Sequence, residues 1–348
     1  MRDRWRVLTV LGTVMVLLQG SWWLRPVQGE PQATAYKSAP GPAAVQTMLC
    51  DWTDPSRNRQ VLAKIYYPQT GTALPVILFS HGLGGTREGY EYLGRHWASW
   101  GYVSVHLQHV GSDDAVWRGV PPAQARAAMN RAAANPMNAI NRPLDVKFAL
   151  DQLTRMNQEE GPLKGRLDLT RVGMAGHSFG GWTTMACIGQ THPALAGRAS
   201  PLADPRIKAA IAMSAPAPKG DPEKSVANIR VPLMHMTGTL DDSPIGDTKA
   251  SERRIAFDAL NGPEQYLVIF NGGDHMIFSG RTRGLNGIGG TKGDPAKDAL
   301  FHDLILQGTT AFWDYYLKGD ATAGEWLRHG GYAAVLDGNG TLEMKGIQ

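Results

Sequence analysis

Arg171-Val172-Gly173-Met174-Ala175-Gly176-His177-Ser178-Phe179-Gly180-Gly181 runs from a short apolar segment into a cluster of glycines around one serine. The pattern G-x-S-x-G, with a strand before it and a helix after it, predicts a turn too sharp to admit a Cβ on either side of the serine. Such a turn lifts the Ser178 hydroxyl into a cleft at the start of the helix, where it can act as a nucleophile. The plain structural reading is a tight strand–helix turn with a capping serine. The strand before, the helix after and the extra Gly181 favour the nucleophile.

The chain around this turn alternates between strands and helices. Val76-Ile77-Leu78-Phe79 is a continuous apolar run, as expected of a strand buried on both faces. Similar runs occur at 102–107, 209–213, 231–236 and 266–270. Helices are expected at about 88–100, 143–156, 248–260 and 298–317. Two earlier strand-like runs, 44–53 and 60–67, flank an Asp54-Pro55-Ser56 turn and predict an antiparallel start to the sheet. Repeated strand–helix units require a mostly parallel sheet with helices on both faces. The expected architecture is therefore α/β, of the α/β-hydrolase type, as one domain over 44–348. Residues 110–139, with Pro121-Pro122 and an Ala/Arg/Asn-rich stretch, interrupt the rhythm and read as an excursion over the sheet.

A serine hydroxyl needs a base, and the base needs an orienting acid. In this fold type both follow the serine along the chain, in the order acid then histidine. Downstream of Ser178 lie His192, His235, His275, His302 and His329. His275 is the candidate base, because Gly272-Gly273-Asp274-His275 directly follows a buried strand. His235 falls inside a strand and reads as a core residue; His302 and His329 fall on or near helices and read as surface residues. The acid is expected from Thr237-Gly238-Thr239-Leu240-Asp241-Asp242 at a strand end. Asp241 is preferred, with Asp242 as its direct competitor, and Asp274 reads as a turn former. The oxyanion that forms during acyl transfer needs backbone donors: the N–H of Phe179, and the N–H of Leu83 in the loop Ser80-His81-Gly82-Leu83-Gly84-Gly85. His81 precedes the nucleophile and reads as structural. Trp182 and Trp117 are candidate pocket residues.

The segments Leu78-Phe79-Ser80-His81-Gly82-Leu83-Gly84 and Gly176-His177-Ser178-Phe179-Gly180-Gly181 resemble those of platelet-activating-factor acetylhydrolases and of bacterial dienelactone-hydrolase-like proteins. The resemblance spans roughly 60–320 and includes the closing helix with Tyr315-Tyr316-Leu317-Lys318-Gly319. It implies a Ser–Asp–His esterase that needs no cofactor and favours short or accessible acyl groups. True dienelactone hydrolases use a cysteine nucleophile, which this chain replaces with Ser178. An obvious hydrophobic interfacial helix is also missing from the pattern, so phospholipid specificity is not carried over. A peptidase or amidase, a hydrolase of polymer or carbohydrate esters, and an inactive binding member of the fold are the competing functional readings.

Composition narrows the partners. The 348 residues are 43% hydrophobic and 19% charged, which supports a large buried core and argues against disorder. Arg2, Arg4 and Arg6 precede the apolar run Val7–Leu18, and small residues follow near Gly29: the layout of a secretory signal peptide over 1–29. The run is short for a membrane span. An exported protein, secreted or periplasmic, is expected, with an uncleaved anchor as the alternative. Cleavage would remove four arginines and Asp3, lowering the formal charge from +4 to +1. No electrostatic case then remains for nucleic acid or anionic lipid as a partner. Residues 30–43 read as a Pro-rich linker. The two cysteines, Cys50 and Cys187, are expected to stay unpaired, Cys187 as a small core residue. Asp337-Gly338-Asn339-Gly340-Thr341-Leu342-Glu343 lacks the spacing of a calcium loop and reads as a glycine turn, so no metal is expected.

Overall fold

The structure, a computed structural model, describes residues 34–193, 202–280 and 292–347. The proposed signal segment therefore lies outside the described residues. A hairpin of β1 (Val45–Asp54) and β2 (Arg59–Pro68) opens the sheet. Next come β3 (Leu74–Ser80), α1 (Glu91–Ser99) and β4 (Val103–Gln108). Then follow α2 (Pro122–Ala134), α3 (Pro136–Gln158), β5 (Leu167–His177) and α4 (Phe179–Cys187). The second half adds β6 (Ile207–Met213), α5 (Pro222–Val226), β7 (Leu233–Leu240), α6 (Ile255–Ala259) and β8 (Gln265–Asp274). It closes with α7 (Asp298–Lys318), α8 (Ala321–Arg328), α9 (Gly331–Leu336) and β9 (Gly340–Lys345).

Among the described residues the strands form one sheet in the order β1-β2-β4-β3-β5-β6-β7-β8-β9. The run from β4 through β8 is parallel, while β1, β2 and β9 pair antiparallel at the two edges. This is the α/β-hydrolase architecture. Alternation along each central strand feeds two separate cores, as side chains of period two must. Val76 and Leu78 pack with Val146, Leu150 and Leu153 of α3 and with Met185 of α4. Ile77 and Phe79 point the other way, toward Leu93 and Trp97 of α1 and Phe312 and Trp313 of α7. Helices thus cover both faces, and the carboxyl ends of the parallel strands are left free to carry loops.

Several elements differ from the sequence expectation. The single helix expected over 248–260 is a turn at Ala250–Glu252 followed by the short α6. Polar residues at 251–254 interrupt the apolar face, and Arg253 turns inward instead. The helix expected over 143–156 starts earlier, at Pro136, where Asn135 caps it by accepting the Met137 N–H. Much of the excursion is therefore helical, as α2 and the first turn of α3. The glycine turn of the tail leads into the edge strand β9, which was not anticipated. Residues 34–41, read as linker, lie against the body: Trp326 Nε1–H donates to Thr34 O, Tyr36 O–H to Asp314, and Gly41 N–H to Ser99 Oγ. No described helix is long and apolar enough to cross a membrane.

Candidate active site

Ser178 sits between the last residue of β5 and the first of α4, at φ 57° and ψ −116°. A non-glycine residue holds such a backbone only where its surroundings impose it. The Ser178 N–H donates to Met213 O at 2.9 Å, and its carbonyl accepts the Trp182 N–H at 3.0 Å. The flanking glycines are required by space. A Cβ on Gly180 would lie 1.8 Å from Ser80 O, and one on Gly176 2.3 Å from Gly180 O. These contacts draw α4 against the end of β3 and leave Ser178 half-buried at the sheet's carboxyl edge.

The same edge supplies Asp241, directly after β7, and His275, directly after β8. His275 Nδ1 and Asp241 Oδ1 are 2.7 Å apart, and both residues are buried. The other carboxylate oxygen of Asp241 accepts hydrogen bonds from Ser214 Oγ at 2.6 Å and Thr237 Oγ1 at 2.7 Å. Burial alone would raise this carboxyl's pKa; His275, Arg253 and the Ser214 hydroxyl outweigh it and hold the pKa below the ordinary carboxylate value. Asp241 is thus held ionised in contact with the His275 ring. Asp242 points elsewhere: it accepts the Ala250 N–H and pairs with Lys292, which lowers its pKa to about 2. Asp274 acts in its turn, accepting the Met276, Lys292 and Gly293 N–H groups. Among the described residues Ser178 Oγ forms no hydrogen bond; nucleophile–base contacts of this kind often tighten only when substrate binds.

The loop after β3 brings Leu83 to the nucleophile turn, since a Cβ on Gly82 would lie 3.4 Å from Ser178 Cβ. Among the described residues the Leu83 and Phe179 N–H groups donate to no protein acceptor, which leaves both free for a ligand oxygen. Trp117 braces this loop: its Nε1–H donates to Gly84 O at 2.8 Å, and its ring leaves no room for a Cβ on Gly84. Trp182 packs with Phe179, Ala139, Ile140 and Ala186 beside the nucleophile helix. His81 is structural in its contacts, with Nδ1–H donating to Gly82 O and Nε2 accepting the His109 N–H.

Two buried hydrogen-bond chains escaped the sequence reading. In the first, the Gly82 N–H donates to Tyr90 Oη, which lies 2.8 Å from His177 Nδ1, while His177 Nε2 lies 2.8 Å from His275 O. A carbonyl only accepts, so Nε2 carries the proton of this neutral imidazole, and Tyr90 donates to Nδ1. Burial pushes the His177 pKa well down, consistent with the neutral form. One directional chain thus links the glycine loop, the Ser178 turn and the backbone of His275. In the second, Asp145 accepts from His109 Nδ1 at 3.0 Å, and His109 Nε2 meets Ser80 Oγ at 2.8 Å. It has the residue types of a triad, but Ser80 is fully buried, so it serves as scaffold. The first x of G-x-S-x-G being a histidine is the one sequence cue to the first chain; Arg142 and Asp145, charged residues on a helix, carry no local cue to their burial.

The remaining histidines stay away from the site's chemistry. His235 is buried in β7 against Phe257, His302 is half-buried against Tyr92 rather than on the surface, and His329 is exposed and pairs with Glu325. Cys50 and Cys187 are unpaired. No group of His, Cys, Asp and Glu able to hold a metal ion occurs among the described residues.

Comparison with known proteins points the same way over part of the chain. The family model "Platelet-activating factor acetylhydrolase, isoform II" matches residues 27–131, which include the Leu83 loop but end before Ser178. The platelet-activating factor acetylhydrolase of Cavia porcellus is 28% identical over 149 residues, covering 35% of this chain and 33% of that protein. The chain thus matches about a third of that curated relative's length. With the α/β-hydrolase sheet on which its serine, aspartate and histidine are mounted, this chain is similar to the platelet-activating-factor acetylhydrolases.

Proposed function

We propose that this chain is a carboxylic ester hydrolase that works through a Ser178–Asp241–His275 triad and an acyl-enzyme. The observation that carries the reading is the 2.7 Å contact between His275 Nδ1 and the buried Asp241, at the sheet edge where Ser178 holds its strained backbone. His275 takes the Ser178 proton as Oγ attacks the ester carbonyl, and returns it to the departing alcohol. Asp241 keeps the imidazole in the tautomer whose Nε2 is free to accept, and stabilises the imidazolium that forms. The N–H groups of Leu83 and Phe179 bind the oxyanion, and water then releases the acyl group by the same route. No cofactor enters this scheme. The substrate class proposed is a small or accessible ester, and the basic-then-apolar N-terminal segment supports export of the protein.

The test is hydrolysis of p-nitrophenyl esters from acetate to long acyl chains by the full chain and by Ser178→Ala. The variant is expected to lose at least about 10³-fold in kcat while keeping its melting temperature. A wild type inert to every ester and unlabelled by a fluorophosphonate would remove the esterase reading.

A further inference from the structure

Arg142 lies in α3, which packs against α4, and is completely buried. Its guanidinium meets only neutral groups. Nε–H donates to Thr183 Oγ1 at 2.9 Å, Nη1 to Ser112 Oγ at 2.9 Å, and Nη2 to Ser80 Oγ at 3.1 Å and to His81 O. The guanidinium carbon stands 4.4 Å from the centre of the Phe179 ring.

These partners belong to the two segments that carry the proposed oxyanion donors. Thr183 is one turn into α4, whose first residue is Phe179. Ser80 and His81 lead directly into Gly82-Leu83, and the Ser112 carbonyl accepts the Gly84 N–H at 2.8 Å. A single side chain therefore ties the Leu83 loop to the Phe179 helix.

The charge makes this more than a clamp. Among the described residues Arg142 has no carboxylate partner. Asp145, one turn along the same helix, is taken up by Arg57, Arg59 and His109. Burial lowers the Arg142 pKa to about 9, which leaves it protonated at neutral pH. Asp145 and Asp113 lie near enough to favour its charge, yet neither makes a contact ion pair with it. A buried cation out of contact with any carboxylate is costly, and neutral side chains would join the same segments at less expense. The cost is offset where a negative charge appears close by in a low-dielectric site, as it does on the carbonyl oxygen in the transition state.

We propose that Arg142 is a positioning residue of the oxyanion site, fixing the spacing of the Leu83 and Phe179 N–H groups and supplying positive potential to the anion that forms between them. This rests on the ester-hydrolase reading. It gives the buried arginine a role in the chemical step rather than in substrate binding.

The experiment compares the full chain with Arg142→Met and Arg142→Lys on p-nitrophenyl acetate, and measures inhibition by a trifluoromethyl ketone, which gives an anionic tetrahedral adduct with the serine. Arg142→Met is expected to lose about 10²-fold in kcat with KM changed less than about threefold. The ketone should weaken by a similar factor, and Arg142→Lys should recover part of both. A folded Arg142→Met with unchanged kcat overturns the inference, as does a loss of kcat without loss of ketone affinity. Should the methionine variant not fold, Arg142→Lys decides: reduced kcat and ketone affinity at an unchanged melting temperature support the role, and wild-type values overturn it. Ester turnover and fluorophosphonate labelling of the wild type are scored first. If the wild type is active, failure of the Arg142 test leaves the esterase reading standing; if it is inert, both fall.

Discussion

Ser178, His177 and Tyr90 each do something their neighbours in sequence cannot, and two of them hold positive φ, Ser178 at 57° and Tyr90 at 62°. The strain at Ser178 is maintained by hydrogen bonds to Met213 and Trp182. Tyr90 is set beside Gly82 and His177, where its hydroxyl both accepts and donates. Replacing Tyr90 by Phe would strip the buried His177 Nδ1 of its donor and the Gly82 N–H of this acceptor. Leaving such groups unsatisfied costs about 1–3 kcal/mol. The expected result for Tyr90→Phe is a stability loss of that size in urea melts and about a tenfold lower kcat on the short-chain ester, since the chain ends on the backbone of His275. Equal kcat in the variant would reduce Tyr90 to a packing residue.

At the scale of elements, the decisive contact is that of α4 with the end of β3. It brings Phe179 N–H, Ser178 and the Leu83 loop together, and it exists only because Gly180 has no side chain. Gly180→Ala would drive a Cβ into the Ser80 carbonyl, a clash with backbone that no rotamer relieves. Soluble yield and thermal melting should show a loss above about 4 kcal/mol or no folded protein, the range reserved for such mechanisms. Gly89→Ala is the control: its Cβ would meet Thr86 O at 3.4 Å, an ordinary contact, and a change within about 0.5 kcal/mol is expected. Strand ends matter in the same way. Asp241 and His275 follow adjacent parallel strands, β7 and β8, so residues 34 positions apart close into one hydrogen bond.

Over the whole molecule, buried carboxylates join distant parts of the chain. Asp314 in α7 accepts from Tyr102 Oη at 2.7 Å and Tyr36 Oη at 2.9 Å, and pairs with Lys37 and Lys318. It fastens the N-terminal segment to the core. Its pKa is held below the ordinary 3.8, because Lys318, Lys37 and Tyr102 outweigh the desolvation that would raise it. A carboxylate with a depressed folded pKa contributes stability that is fully present above its unfolded value. That contribution is lost as pH falls through the folded value. Asp314→Asn is therefore expected to cost about 3–5 kcal/mol at pH 7. In urea melts the gap to the wild type should narrow steadily below about pH 4. A gap independent of pH would mean that the carboxylate's charge is not what stabilises this junction.

The sequence by itself determined the alternation of buried strands and helices, the glycine-bounded turn at Ser178 and the placing of His275 after a strand. These are local: apolar runs report burial on both faces, and glycines report backbone that no side chain can share. It did not separate Asp241 from Asp242 beyond a preference, because adjacent residues differ only in which way a strand end turns them. Tertiary structure sets Ser214, Thr237, Arg253 and His275 around the Asp241 carboxylate and turns Asp242 to Lys292. Likewise β9 was hidden, since an edge strand with mixed exposure leaves a weak pattern. Arg142, Asp145, His109 and Tyr90 were hidden for a stronger reason. A charged or polar residue looks solvent-facing in sequence, and its burial becomes tolerable only through partners drawn from other elements, which the chain reveals when it folds.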